Sequence, residues 1–169
     1  MDTRLAIASR RDERRYADRE IDDAVARRIF DAGRLSGSAR NRQPWELVVV
    51  AGQARDSLAE TVFVPENLRS AALVVAIVGR GKGPVAFDCG RAAQNMLLAA
   101  WNEGIVSSPN GISDHDRAAA ILGLGEEERL QIVLTFGHPV SERRVESRTI
   151  EEWSAAADRK ALDDVVRRL

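Results

Sequence analysis

Lysine is almost missing from this chain of 169 residues: of the 25 basic residues only Lys82 and Lys160 are lysines. The skew reads as a coding bias and points to no activity. Cysteine is rarer still. Cys89 stands alone, which excludes an internal disulfide, and with only His115 and His138 beside it no metal-ligand cluster assembles, so no metal is expected. No apolar run approaches the roughly 18 residues that a membrane span needs, and Met1-Asp2-Thr3-Arg4 leads into no apolar signal core. A cytoplasmic protein without membrane contact is the expectation. An excess of either charge is lacking too. The net charge of -1 and a pI near 6.2 make no electrostatic case for nucleic acid as a partner.

What remains, 44% apolar and 30% charged residues, is ordinary globular composition and is enough for a single domain over residues 1–169. Ile21, Val25, Ile29 and Ala32 recur at helical spacing with Arg27, Arg28 and Asp31 between them, which predicts an amphipathic helix ending near Gly33. Leu47 to Ala51 and Ala72 to Val78 are short apolar runs rich in β-branched residues, and Leu130 to Phe136 alternates in part, so three strands are expected there. Ala92, Ala93, Met96, Leu97, Ala100 and Trp101 predict a long helix with a small-residue face suited to close packing. Ser113 followed by Asp116 reads as a helix start that Gly123 closes. A last helical pattern runs from Ile150 to Leu169, after a linker from Pro139 to Ser147. Helices alternating with a few strands imply helical layers around a mixed sheet.

The most informative stretch is Gly37-Ser38-Ala39-Arg40-Asn41-Arg42-Gln43-Pro44-Trp45, a polar loop emptying into the apolar Leu47-Val48-Val49-Val50. Gly, Ser and Asn turn the backbone and offer short donors, Gln43 carries an amide able to pair with a flat heterocycle, and Pro44 fixes the start of the strand. By itself such a loop reads equally well as a helix-to-strand connection. Its company decides otherwise: Ser9-Arg10-Arg11-Asp12-Glu13-Arg14-Arg15-Tyr16 stands upstream, Ser107-Ser108-Pro109-Asn110-Gly111 and Phe136-Gly137-His138-Pro139 stand downstream, and Arg148-Thr149-Ile150-Glu151-Glu152 follows. In this order, and over nearly the whole chain, the segments resemble the FMN-dependent nitroreductase family.

The resemblance implies an α+β fold: a three-layer α/β/α sandwich with a mixed, mostly antiparallel central sheet, in a domain-embracing homodimer. Residues 140–169 would be a C-terminal extension contacting the partner subunit. It also implies FMN as cofactor, NADH or NADPH as donor, and a nitroaromatic, quinone or similar small molecule as acceptor in a ping-pong exchange. Arg10, Arg11 and Arg14 match the basic motif that reaches the phosphate, ribityl chain and pyrimidine edge, and Arg148 matches a late basic residue at the phosphate. Ser38, Asn41 and Gln43 match positions lining the ring and ribityl region, commonly from the other subunit. Pro109, Asn110 and Gly111 match a turn over the ring. No acid, base or nucleophile is required, because the flavin carries the chemistry.

Two positions depart from the family pattern: Asp12 stands where Ser is common and Glu146 where a basic residue is frequent, which puts negative charge near the expected phosphate. Arg143 and Arg144 could compensate, or Asp12 could organise Arg14 or Arg15 instead. A flavin or deazaflavin binder with little turnover is therefore the alternative. A nucleotide loop at Gly79-Arg80-Gly81-Lys82-Gly83 is disfavoured, since a Walker loop needs Ser or Thr after its Lys and Gly83 stands there. That segment reads as a tight turn, and it is shorter than the excursion that often shapes the family's substrate pocket.

Overall fold

In the computed structural model, which describes residues 1–169 apart from the side chain of Glu146, the chain opens with α1 (Thr3–Ser9). Asp2 caps it by accepting the Leu5 N–H at 3.1 Å. A two-residue strand, β1 (Tyr16–Ala17), precedes α2 (Asp23–Arg34), where Asp22 accepts the Ala24 N–H at 2.7 Å and Arg34 in the last turn complements the helix dipole. There follow β2 (Trp45–Val49), α3 (Gly52–Ala59), α4 (Glu66–Arg69), β3 (Leu73–Arg80), α5 (Val85–Asn102) and β4 (Val106–Asn110). The last elements are α6 (His115–Leu122), β5 (Glu128–Pro139), α7 (Ile150–Ala156) and α8 (Leu162–Val165).

β5 is the spine of the sheet. β3 pairs along one edge of it, from Leu73 opposite Phe136 to Arg80 opposite Glu128, and β4 along the other, from Val106 opposite Gly137 to Asn110 opposite Val133. β2 continues outward from β3, and β1 covers the end of β5 through Tyr16 opposite Pro139. All of these pairings are antiparallel; a lone bridge between Asp12 and Ser107 is the parallel contact.

The sheet is covered on both faces. Val75 and Ile77 of β3 point into one core with Ile29, Cys89, Met96 and Leu97 from α2 and α5, while Val74 and Ala76 point into a second with Leu58, Leu68 and Ala118 from α3, α4 and α6. A strand buried on both faces reads as an unbroken apolar run, and this one is buried from Val74 through Gly79. The pairing slips by one residue between Ile77 and Val78, leaving Gln131 as an extra residue on β5. That bulge reverses the alternation, so Leu130 joins the same core as Val133. The result is the three-layer sandwich.

A third cluster, Ala6, Trp101, Val106 and Val145, fastens the chain ends to the sandwich, and the Trp101 indole N–H donates to the buried Ser9 hydroxyl at 2.8 Å. Buried Val145 makes part of the expected linker from Pro139 to Ser147 a docked segment, because an apolar side chain of this size gains about 1.5–3 kcal/mol on burial. Two further expectations are corrected. The cap of α6 is Asp114, which accepts the Arg117 N–H at 3.0 Å, not Ser113. The pattern from Ile150 to Leu169 is two helices, interrupted where Asp158 takes a positive φ of 49°. No helix among the described residues is long and apolar enough to cross a membrane.

Candidate functional site

The N-terminal basic motif runs beside β4. Asp12 bridges Ser107, and the Glu13 N–H donates to the Ser107 carbonyl at 3.1 Å, which brings Arg14 beside the end of that strand. Arg14, Phe63, Asn67, Pro109, Asn110 and Gly111 line a cavity of about 160 Å³. The expected turn at Pro109-Asn110-Gly111 is instead the end of β4, because Asn110 is bound inward: its amide nitrogen lies 3.0 Å from the Thr135 hydroxyl and 3.1 Å from the Ser108 carbonyl, and its amide oxygen accepts from Asn67 at 2.9 Å. Thr135 also meets the Tyr16 hydroxyl at 2.7 Å. Burial pushes the Tyr16 phenol up to about 12. This chain of buried polar groups fixes the strand end that forms one wall of the cavity.

Asp12 is not left as an uncompensated charge. Arg10 pairs with it at 2.8 Å and Arg14 at 3.7 Å, which holds the two guanidiniums on either side of one carboxylate. Arg11 points to α7: three of its five N–H groups go to the carbonyls of Ala8, Arg10 and Trp153, at 2.6, 2.9 and 2.7 Å. The Trp153 ring lies between Arg11 at 5.3 Å and Arg148 at 4.9 Å, and its indole N–H donates to the Val145 carbonyl at 2.9 Å. Burial lowers the Arg11 pKa, and the neighbouring charges of Arg159, Arg10 and Arg148 lower it further. Cations that repel one another in this way form a region where an anion is favoured. Of the side chains invoked as compensation, Arg144 pairs with Glu142 at 3.4 Å and Arg143 lies over the Trp101 ring at 3.9 Å. Glu146 lies outside the described side chains.

Ser38, Asn41 and Gln43 form a second group, at the other end of β2 and β3. The Ser38 hydroxyl accepts the Gln43 N–H at 2.8 Å, and buried Asp88 of α5 accepts the Ala39 N–H at 3.0 Å. Arg40, Asn41 and Gln43 all adopt positive φ, of 54°, 54° and 49°. Three such residues within four positions are strained, and strain of this kind persists only where neighbours over-determine it. Gln43 lines a separate groove of about 1040 Å³ between α2 and β2, with Phe30, Trp45 and Leu47 on its floor. Within one protomer Arg14, Pro109, Asn110 and Gly111 line one cavity and Gln43 another, and no hydrogen bond among the described residues joins the two groups.

Phe63 and Asn67 line the first cavity, and Thr135 and Asp88 brace Asn110 and Ala39 from behind, without having been singled out as site residues in the sequence. Nothing marks Asn67 or Thr135 locally; their roles arise from pairing across the fold. Phe63, by contrast, is 74% exposed and rests against Gly111.

The sequence model of the Nitroreductase family matches residues 7–80 and 65–138. The chain belongs to the nitroreductase family. A protein of Archaeoglobus fulgidus named "Putative NADH dehydrogenase/NAD(P)H nitroreductase" is 31% identical over 148 residues, 81% of this chain and 85% of that protein. Among solved structures, a nitroreductase family protein from Clostridium difficile 630 superimposes with a TM-score of 0.83 at 19% identity, covering 99% of this chain and 98% of its own. An FMN-dependent nitroreductase from Clostridium difficile R20291 does so with a TM-score of 0.76 at 21% identity, over 82% of this chain and 88% of its own. These structural likenesses establish the nitroreductase fold. The family match and the Archaeoglobus relative make the chain an oxidoreductase.

Proposed function

We propose that this chain is an FMN-dependent oxidoreductase that draws reducing equivalents from NADH or NADPH and delivers them to a nitroaromatic, quinone or similar small acceptor, donor and acceptor visiting one site in turn. We further propose that it works as a homodimer in which each site takes residues from both subunits. The observation that carries the reading is the division of the polar groups into two half-sites on one protomer: the arginine cluster with the cavity at Gly111, and the strained loop with Ser38, Asn41 and Gln43. A second copy would bring the loop of one subunit to the cavity of the other. The exposed Leu162, Val165 and Leu169 support residues 140–169 as the segment that clasps the partner.

The residues present fit a phosphorylated flavin. Arg10, Arg11 and Arg148 place cationic charge where a dianion relieves their repulsion, and Asp12 keeps Arg10 and Arg14 oriented. Arg14 would face the pyrimidine edge, and Pro109, Asn110 and Gly111 would offer the ring a wall held rigid by the buried network. Gly111 itself adds no side chain to that wall, and the Phe63 ring packs against it. Ser38, Asn41 and Gln43 would supply hydroxyl and amide groups to the ring and ribityl chain from the second subunit. Bound FMN supplies the two-electron relay between donor and acceptor. The protein positions both substrates and keeps the site ordered.

The test is the visible spectrum of the purified protein with FMN added, followed by NADH and NADPH in separate anaerobic titrations. Stoichiometric flavin bands that bleach support the reading. Flavin that binds and stays oxidised with both donors points to the binder without turnover, and absence of flavin uptake at micromolar concentration overturns the FMN oxidoreductase and the flavin binder alike. Sedimentation at the same concentrations tests the dimer.

A further inference from the structure

Beside the strained loop lies a cationic rim that the arrangement above does not use. Arg40 and Arg42 stand two residues apart on the loop, and the Arg42 guanidinium donates to the Lys82 carbonyl at 2.8 Å. This bond ties the loop to the glycine-rich turn after β3. Gly83, with a φ of 102°, makes the contact possible: a Cβ there would stand 2.8 Å from the Arg42 nitrogen. Arg40, Arg42 and Lys82 are all exposed. Among the described residues no carboxylate lies within 4.0 Å of any of the three, while the nearby acids are engaged elsewhere, Asp88 with Arg91 and Glu128 with Arg80. Arg80 and Arg91 have acidic partners; these three have none.

Exposed cations without a carboxylate partner, carried on one loop and the turn bonded to it, favour an anion of matching charge. Two guanidiniums and an ammonium suit a phosphate monoester, which is dianionic and has three acceptor oxygens, better than a carboxylate with its single charge. The backbone beneath Arg40 is already fixed by the bonds from Ala39 to Asp88 and from Gln43 to Ser38, so little ordering remains when a ligand arrives.

We propose that Arg40, Arg42 and Lys82 form a phosphate-binding rim that recognises the 2′-phosphate of NADPH and makes it the preferred donor. This rests on the reading that the neighbouring Ser38, Asn41 and Gln43 face a flavin. The rim would then stand at the mouth of the site, where the adenosine end of a donor whose nicotinamide lies on the ring must pass. NADH carries no phosphate for the rim to hold.

Two measurements on wild type, Arg40→Gln, Lys82→Gln and Arg40→Lys test it. Arg42 is left intact, since it also holds the turn. The first is the ratio of kcat/KM for NADPH to that for NADH in FMN-loaded protein. The second, which needs no flavin, is calorimetric binding of adenosine 2′,5′-bisphosphate against AMP. The expected wild-type ratio favours NADPH by about tenfold or more, both Gln variants lower it by about tenfold, and Arg40→Lys retains most of it, the size expected for one charge-assisted hydrogen bond. The bisphosphate should bind more tightly than AMP and lose that advantage in the Gln variants. Equal use of both donors, a ratio the variants do not move, or a bisphosphate no tighter than AMP would overturn the proposal. If flavin bleaches equally with either donor, the rim fails while the oxidoreductase reading stands; if no flavin binds but the bisphosphate does, that reading fails and the phosphate site stands.

Discussion

Asp88, buried in the first turn of α5, accepts the N–H of Ala39 at 3.0 Å, and through this bond the long helix holds the loop that carries Ser38, Asn41 and Gln43. Arg91 at 3.8 Å offsets its charge. Replacing Asp88 with Ala leaves the Ala39 N–H and Arg91 without that partner and should cost about 1–3 kcal/mol in chemical denaturation, whereas Asp88→Asn keeps an acceptor oxygen and recovers much of it. Amide exchange at residues 39–43 should speed up in the Ala variant. Unchanged exchange there would show that the loop is held by other means.

Tyr16 is the only tyrosine, so its titration can be followed directly. Burial raises the phenol to about 12, against an unfolded value of about 10. A raised value means that the neutral form is favoured in the fold, so the associated stability is complete below about pH 10 and is lost as pH rises through about 12. Tyrosinate absorbance should therefore lag behind that of an exposed phenol. Tyr16→Phe should flatten this part of the stability profile while costing only about 1 kcal/mol, because the Thr135 hydroxyl keeps its bonds to Asn110 and Ser108.

Cys89 is fully buried in the core between α5 and the sheet, and burial, with Asp88 beside it, pushes its thiol up to about 11. The thiolate is the reactive form, so a disulfide reagent at neutral pH should leave the folded protein unmodified and react with one thiol per chain after denaturation. Rapid labelling of folded protein would contradict the placement of α5.

Gly137 is required by a close approach. A Cβ there would stand 2.6 Å from the Tyr16 ring. Gly137→Ala should push β1 off the end of β5 and cost about 1–3 kcal/mol in the denaturation midpoint. Because β1 follows Arg14 by two residues, FMN affinity should fall as well; a variant with native stability and native affinity would remove β1 from any role in placing Arg14.

Trp153 stands between Arg11 and Arg148. Trp153→Ala removes a cation–π surface shared by both guanidiniums, each contact being worth about 0.5–1 kcal/mol or more. The expected result in a flavin titration is weaker FMN binding, with little change in the rate at which bound flavin is reduced. A variant that binds FMN as tightly as wild type would separate Arg148 from the phosphate.

The parts of the fold legible in the sequence were those with a sustained apolar pattern: α2, β3, α5 and β5 lie where that pattern places them, because each faces a core, while β2 begins two residues earlier than expected, at Trp45, and is only half-buried. α1, β1, α3 and α4 were not legible, since they are short and held by partners distant in sequence, such as Trp101 for Ser9 and Pro139 for Tyr16. The bulge at Gln131 has no local sign, because register depends on two strands at once. In the candidate site, the loop at residues 38–43 announced itself through its composition. Asn67 and Thr135 could not, since an asparagine or threonine becomes part of a cavity wall only when the chain brings Asn110 to it.

The grip of Arg42 on the Lys82 carbonyl leaves the ammonium of that residue on an open turn, in a chain with one other lysine side chain. Amine-directed reagents therefore have very few targets, and one of them lies beside the strained loop. Random lysine conjugation, harmless for many enzymes, would here place tags, cross-links and support surfaces at two side chains only, one of them on this working edge, whereas arginine-directed chemistry would scatter over the whole exterior.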